Sequence, residues 1–103
     1  FDSFVHGWVT PENVCSWVHF KPQYFWICDA SLNLKVDFVG RFEQMDADVA
    51  IVQDRLDLPV APLPKINVTN RSMAVEDSYT VETRAIVAQV YQKDFELFGY
   101  SQN

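Results

Sequence analysis

Basic residues are scarce in this 103-residue chain: 8 lysines and arginines stand against 14 aspartates and glutamates, for a net charge of −6. General binding of nucleic acid needs a basic face that neutralises phosphates. The charge balance therefore argues against a nucleic-acid-binding protein. An anion site would require the fold to bring several of the scattered basic side chains together.

Long apolar runs are also missing. No run approaches the roughly 20 residues that a membrane-spanning helix needs, so no membrane span is predicted. The start, Phe1-Asp2-Ser3-Phe4, has neither an initiator methionine nor the basic and apolar regions of a signal peptide. We therefore expect this segment to be the interior of a longer polypeptide. Its length suits one small domain.

Cysteine is rare as well, with only Cys15 and Cys28 present. There is no CxxC pair and no His-Cys cluster at zinc spacing, so we expect no metal. A disulfide between the two cysteines would close a short aromatic-rich loop and contribute about 3 kcal/mol. Two buried free thiols agree equally well with the spacing, so both alternatives stay open.

Apolar residues make up 49% of the chain, and their spacing predicts three helices. The first covers residues 1–8 and the second residues 45–56. The third begins after Thr80, a good N-cap, runs over residues 81–97 and stops at Gly99. Between the first two helices, Thr10-Pro11-Glu12-Asn13 predicts either a turn or a short helix with proline at its first position.

Two short strands are predicted as well. The first strand, near Tyr24–Cys28, follows an ordered aromatic loop. Pro22 lies in that loop and rules out a central strand there. Lys35–Arg41 has β-forming residues and leads into the second helix, which makes a β-to-α unit. Asp29–Asn33, between the strands, has the side chains of a turn. The fold class predicted is α/β, largely helical in this segment with one or two strands.

Four motifs follow one another along the chain: His19-Phe20-Lys21-Pro22-Gln23, Val36-Asp37-Phe38-Val39-Gly40-Arg41-Phe42-Glu43, Leu63-Pro64-Lys65-Ile66-Asn67, and Tyr91-Gln92-Lys93-Asp94-Phe95-Glu96-Leu97-Phe98-Gly99-Tyr100. Together they resemble the C-terminal part of the sulfotransferase family that includes Golgi carbohydrate sulfotransferases and many bacterial relatives. The resemblance implies one partial domain over 1–103, with a P-loop-type parallel-sheet fold. It also implies transfer of a sulfuryl group from 3′-phosphoadenosine 5′-phosphosulfate to a hydroxyl or amine on a carbohydrate or other small acceptor.

Two expected family motifs do not occur in these residues: a Gly-rich donor-binding loop and an Arg-Asp-Pro stretch. They would supply the backbone N–H groups that hold the donor's phosphates. We therefore expect the segment to need the remaining N-terminal part of the enzyme as its partner and to be inactive alone. The alternative is a non-catalytic module, derived from this fold, that binds a protein or glycan through the aromatic segment Trp17–Trp26. The resemblance implies the cytoplasm for a bacterial protein and the Golgi lumen for a eukaryotic one.

The resemblance also implies a loop over the donor nucleotide at Lys65–Ser72. Arg71 is the expected phosphate ligand, with Asn67, Asn70 and Ser72 as neutral partners. The competing interpretation is a solvated loop of turn-forming asparagines.

Three further side chains are candidates for defined roles. His19 can orient the acceptor or act as the catalytic base, and the competing interpretation is a packed structural histidine. Arg41 and Glu43 are expected to form a structural ion pair or a helix-entry cap. Asp94 is a polar residue on an apolar helix side, so we expect a hydrogen bond to a buried tyrosine or to a backbone group.

Overall fold

The computed structural model describes residues 1–65 and 74–102. That part of the chain forms six α-helices: α1 Asp2–Trp8, α2 Pro11–Ser16, α3 Tyr24–Ile27, α4 Met45–Arg55, α5 Val81–Val90 and α6 Gln92–Phe98. Short 3-10 turns at Phe42–Gln44 and Glu76–Ser78 precede α4 and α5. The described residues divide into two compact units, one of residues 1–35 and 74–102 and the other of residues 36–65.

A small aliphatic core lies in the first unit. Val5 of α1 and Val14 of α2 are 1% and 0% exposed, and Val9 is buried between them in the chain. Side chains of α5 and the residue after it pack against this core, among them Val87, Val90 and Tyr91. Fully burying a valine side chain stabilises a fold by about 1.5–3 kcal/mol, so these contacts hold α1, α2 and α5 together.

Local side-chain chemistry explains why α2 begins where it does. Thr10 accepts a hydrogen bond from the backbone N–H of Asn13 at 3.1 Å, and Pro11 occupies the first helical position. A proline there loses no intrahelical hydrogen bond. Of the two predicted alternatives for this segment, the short helix is therefore the one that forms.

The predicted third helix is divided into two. Thr80 caps α5, accepting from the N–H of Thr83 at 3.1 Å, and Gly99 ends α6 in the left-handed conformation with φ 70°. Both predicted ends are therefore confirmed, but the helix is interrupted at Tyr91, where φ is −104° and ψ is 21°. No glycine or proline marks this break, and Tyr91 is also the residue whose hydroxyl bonds the backbone of Phe20, as described below.

Neither predicted strand forms in residues 1–65 or 74–102. Tyr24–Ile27 is a helical turn, and a single antiparallel bridge joins Cys28 to Leu34. The backbone N–H of Lys35 donates to the carbonyl of Ile27 at 2.8 Å beside that bridge, while residues 36–41 bend at positions 36 and 37 and form no strand. A strand requires a neighbouring strand for its hydrogen bonds, and none lies beside this segment in the described chain. The largely helical prediction holds, while the parallel sheet stays an expectation from the resemblance.

The turn between these two segments is as predicted. Asp29 Oδ1 accepts from the backbone N–H of Ser31 and of Asn33, each at 2.9 Å. The hydrogen bond from Asn33, together with bonds from Lys35 and Ser31, lowers the pKa of Asp29, a partly exposed carboxyl. Both cysteines are free thiols.

The second unit is built around α4, which confirms the predicted helix. Asp48 of α4 accepts a hydrogen bond from the backbone N–H of Arg41 at 2.7 Å, and Gly40 lies close to the same aspartate. The segment before α4 is therefore attached to the first turn of the helix by a carboxylate. Gln53, near the end of α4, exchanges hydrogen bonds with the backbone of Ala61. The proline-rich stretch after α4 carries no helix in its described part.

Candidate functional site

An open cavity of about 340 Å³ lies in the first unit, between the first and last of the four motifs. We call it the aromatic cavity, because five of its lining residues are phenylalanine or tyrosine. Its lining is formed by His19, Phe20, Lys21, Gln23, Val87, Tyr91, Asp94, Phe95, Phe98 and Tyr100. Residues some 70 positions apart in the sequence thus share one surface.

The carboxylate of Asp94 joins the two motifs. Its Oδ2 accepts from the backbone N–H of Gln23 at 2.7 Å, and its Oδ1 accepts from the backbone N–H of Tyr24 at 2.9 Å. The first N–H groups of a helix have no intrahelical acceptor, and the helix dipole favours an anion there. Asp94 therefore caps α3 from α6, which confirms the predicted hydrogen bond to a backbone group.

Tyr91 makes a second connection to the same segment. Its hydroxyl donates to the backbone carbonyl of Phe20 at 2.6 Å. Burial, followed by the negative charge of Asp94, raises the pKa of Tyr91. The phenol therefore stays protonated and remains a donor well into the alkaline range. We refer to the three hydrogen bonds of Tyr91 and Asp94 as the backbone clamp.

The side chain of His19 is exposed and lines the aromatic cavity. It lies one residue before Phe20, whose carbonyl is bound by the clamp. In the described residues the imidazole is thus exposed rather than packed, and its part in catalysis stays a prediction.

Lys21 and the rings of α3 form a surface next to this segment. The ammonium nitrogen of Lys21 lies 5.3 Å from the centre of the Phe25 ring and 5.6 Å from that of Trp26. Lys93 Nζ of α6 lies 5.6 Å from the ring centre of Tyr24. Trp17 and Trp26 are 58% and 55% exposed, so part of the aromatic segment is not used in the core of the described chain.

The predicted donor loop falls largely outside the described residues. Asn67, Asn70, Arg71 and Ser72 all belong to the interval 66–73, so their contact with a nucleotide stays a prediction. Within residues 1–65 and 74–102 there is no group of three His, Cys, Asp or Glu side chains that could hold a metal ion. None of the helices described is long and apolar enough to cross a membrane.

The sequence indicates both parts of this site, residues 19–23 and residues 91–100, as family motifs, but it does not indicate that they are in contact. Asp94 was expected to bind a backbone group, yet nothing in the sequence says that the group belongs to Gln23 and Tyr24. The hydroxyl of Tyr91 was missed altogether. The available signal was the presence of Tyr91 and Asp94 three positions apart, on one side of a helical stretch.

Comparison with known proteins agrees with the motifs. A family model described as "Sulfotransferase family" matches residues 1–101. Comparisons with curated proteins and with solved structures each found no significant match. The matched range includes every residue of the aromatic cavity and of the backbone clamp.

Proposed function

This chain belongs to the sulfotransferase family, and we propose that it is part of an enzyme that sulfates a carbohydrate. The donor is 3′-phosphoadenosine 5′-phosphosulfate, and the acceptor group is a hydroxyl or an amine. The observation that carries the proposal is the family match over residues 1–101, joined to the exposed position of His19 in a cavity of substrate size. The remaining part of the enzyme supplies the donor's phosphate-binding loop.

The reaction is a group transfer without a redox step. The bond between sulfur and the donor's phosphate oxygen breaks, and a bond forms between sulfur and the acceptor oxygen or nitrogen. The acceptor gives up its proton to a base, for which His19 is the candidate in this chain. 3′-Phosphoadenosine 5′-phosphate leaves with the electron pair of the broken bond.

Charge stabilisation is the other requirement of such a transfer, because negative charge builds up on the leaving phosphate oxygen. In our proposal Arg71 binds the 3′-phosphate of the nucleotide and so holds the donor in place, with Asn67, Asn70 and Ser72 adding neutral hydrogen bonds. An arginine suits this task because its planar guanidinium can donate two parallel hydrogen bonds to one phosphate. The groups that stabilise the leaving oxygen then belong to the phosphate-binding loop outside this segment.

The aromatic cavity is suited to the acceptor side. The faces of aromatic rings pack well against the C–H faces of sugars, and polar groups at the edge then fix the orientation. Phe20, Phe95 and Tyr100 provide such rings, and His19 with Lys21 provides the polar edge. This arrangement supports a carbohydrate as the acceptor.

The test uses the complete gene product that contains this chain. It is incubated with radiolabelled donor and a panel of sugars, phenols and amines, and label transfer and nucleotide release are both measured. We expect transfer to a sugar, with His19→Ala lowering kcat by at least tenfold and Arg71→Ala weakening binding of 3′-phosphoadenosine 5′-phosphate in calorimetry. His6→Ala is the matched control, since His6 pairs with Asp2 on α1 at 3.6 Å and does not line the cavity.

A non-catalytic glycan-binding module is the second candidate, favoured by the exposure of Trp17 and Trp26. It predicts glycan binding that is unaffected by donor and no transfer to any acceptor. Transfer to phenols or amines but not to sugars would overturn the carbohydrate assignment alone. No transfer at all, together with no binding of the nucleotide, would overturn the proposal as a whole.

A further inference from the structure

The backbone clamp binds its target only through main-chain atoms. Asp94 accepts from the N–H groups of Gln23 and Tyr24, and Tyr91 donates to the carbonyl of Phe20. No side chain of the His19–Gln23 segment is used. His19 and Lys21 are therefore held in place while their side chains are left to face the cavity.

We infer that Asp94 and Tyr91 are positioning residues for sulfuryl transfer, which set the place of His19 at the aromatic cavity by holding the backbone on its C-terminal side. This inference rests on the proposed function. It assigns a role in the reaction to two residues of α6 and its preceding turn, neither of which needs to touch the reacting atoms.

The segment that carries His19 depends on such external support. It lies between α2 and α3 and forms only a tight turn, in which the N–H groups of Phe20 and Lys21 both donate to the carbonyl of Trp17 at 3.0 Å. The turn from Trp17 to Lys21 encloses His19, and the clamp holds the C-terminal end of that turn and the residues that follow it. Pro22, which is buried, lies between the two anchored points Phe20 and Gln23.

Asp94 is unsuited to be the base itself. Both of its carboxylate oxygens accept a backbone N–H, at 2.7 and 2.9 Å. Its effect on the reaction must therefore pass through the segment that it binds.

The expected size of the effect follows from the geometry of group transfer. A displacement of about 1 Å at a catalytic group can cost about 100-fold in rate. Asp94→Asn keeps one carbonyl acceptor but turns an NH₂ group towards the other N–H, so one of the two hydrogen bonds is lost. Tyr91→Phe removes only the hydroxyl. We expect a loss of about 10- to 100-fold in kcat for the first and about 3- to 10-fold for the second.

The decisive experiment is a double-mutant cycle in the complete gene product. We compare wild type, Asp94→Asn, His19→Ala and the double variant by kcat, by acceptor KM and by calorimetric binding of 3′-phosphoadenosine 5′-phosphate. If Asp94 acts through His19, it loses its effect once His19 is absent, and Asp94→Asn then lowers kcat less than about threefold in the His19→Ala background. Nucleotide binding is expected to be unchanged.

Hydrogen exchange of the Gln23 and Tyr24 amides in the same variants reports on the clamp directly. Both amides are expected to exchange faster in Asp94→Asn, while Glu96→Gln on the same helix leaves them unchanged, since Glu96 pairs with Gln92 instead. If Asp94→Asn does not fold, the double-mutant cycle is repeated with Tyr91→Phe in place of Asp94→Asn.

Three results are distinguishable. Additive losses in the cycle, or full kcat despite lost amide protection, would overturn the positioning inference and leave the proposed function standing. Equal losses in nucleotide binding and kcat would show a general structural role instead, which also overturns it. A wild-type protein that transfers label to no acceptor would overturn the proposed function, and the positioning role with it.

Discussion

The carboxylate of Asp94 accepts a hydrogen bond from the backbone N–H of Tyr24 at 2.9 Å, although 70 positions separate the two residues. The contact explains why an acidic residue is found on the inward side of α6. It also explains how α3, a helix of four residues, is maintained, since so short a helix is not stable by itself. One side chain thus joins two motifs into a single site.

Removing this carboxylate is expected to destabilise the protein. Asp94→Ala leaves the amides of Gln23 and Tyr24 without their acceptor, and a hydrogen bond to a charged group is worth about 1.5–3 kcal/mol. Because the site is partly exposed, the two hydrogen bonds together contribute less than the sum of two such values. We therefore expect a loss of about 2 kcal/mol in the free energy of unfolding. Urea unfolding measures it. Glu96→Ala is the matched control, and equal losses in both variants would contradict the role of Asp94 as a cap.

Tyr91 makes the stability depend on pH in the alkaline range. Burial, with help from Asp94, raises its folded pKa above the ordinary tyrosine value near 10. The unfolded chain therefore ionises first, so this contribution to stability is complete below about pH 10 and is lost as the pH rises through the folded pKa.

Urea unfolding between pH 8 and 11 tests this dependence. Tyr91→Phe is expected to be less stable than wild type at pH 8, by about 1 kcal/mol for the lost hydrogen bond, and to lose less stability above pH 10. Tyr24, whose pKa is also raised by burial, keeps some of the dependence, so Tyr24→Phe with Tyr91→Phe flattens the curve further. An unchanged slope in both variants would refute the assignment.

Two glycines are expected to respond in opposite directions to alanine. Gly7 lies within α1, and a methyl group there would meet no atom within 4 Å, so Gly7→Ala is expected to stabilise by about 0.5–1 kcal/mol. Gly99 ends α6 with φ 70°, a conformation that costs other residues about 1 kcal/mol or more. Thermal unfolding of both variants checks the pair. Changes of the same sign would contradict one of the two backbone assignments.

Asp29 is expected to titrate below the ordinary range of an aspartate. The main cause is the hydrogen bond from the backbone of Asn33, followed by that from Lys35. Because the folded pKa is lowered, its contribution to stability is present above the ordinary value near 3.9 and is lost as the pH falls through the folded pKa. NMR titration of the carboxyl carbon measures it. Lys35→Ala is expected to reverse only a part of the shift, and complete reversal would assign the cause to the ion pair instead.

The helices were largely predictable because their causes are local. Thr80 and Gly99 are end signals that act within a few residues, and the spacing of apolar residues over 45–56 needs no knowledge of the rest of the chain. The predicted strand at 24–28 was wrong for the opposite reason. Aromatic, β-forming residues fold there as a helical turn, because a carboxylate 70 positions away caps it.

The features of the site also divide into those with local causes and those that depend on contacts between distant segments. Sequence alone established the acidic charge balance, the helix ends, the family motifs and the candidacy of His19, since each depends on residue type and short-range order. The folded chain was needed to learn that the helix over residues 81–97 breaks at Tyr91, that Asp94 binds Gln23 and Tyr24, and that His19 is exposed at an aromatic cavity. These are contacts between distant segments, and a hydrogen bond specifies geometry and donor but not the sequence position from which the partner comes.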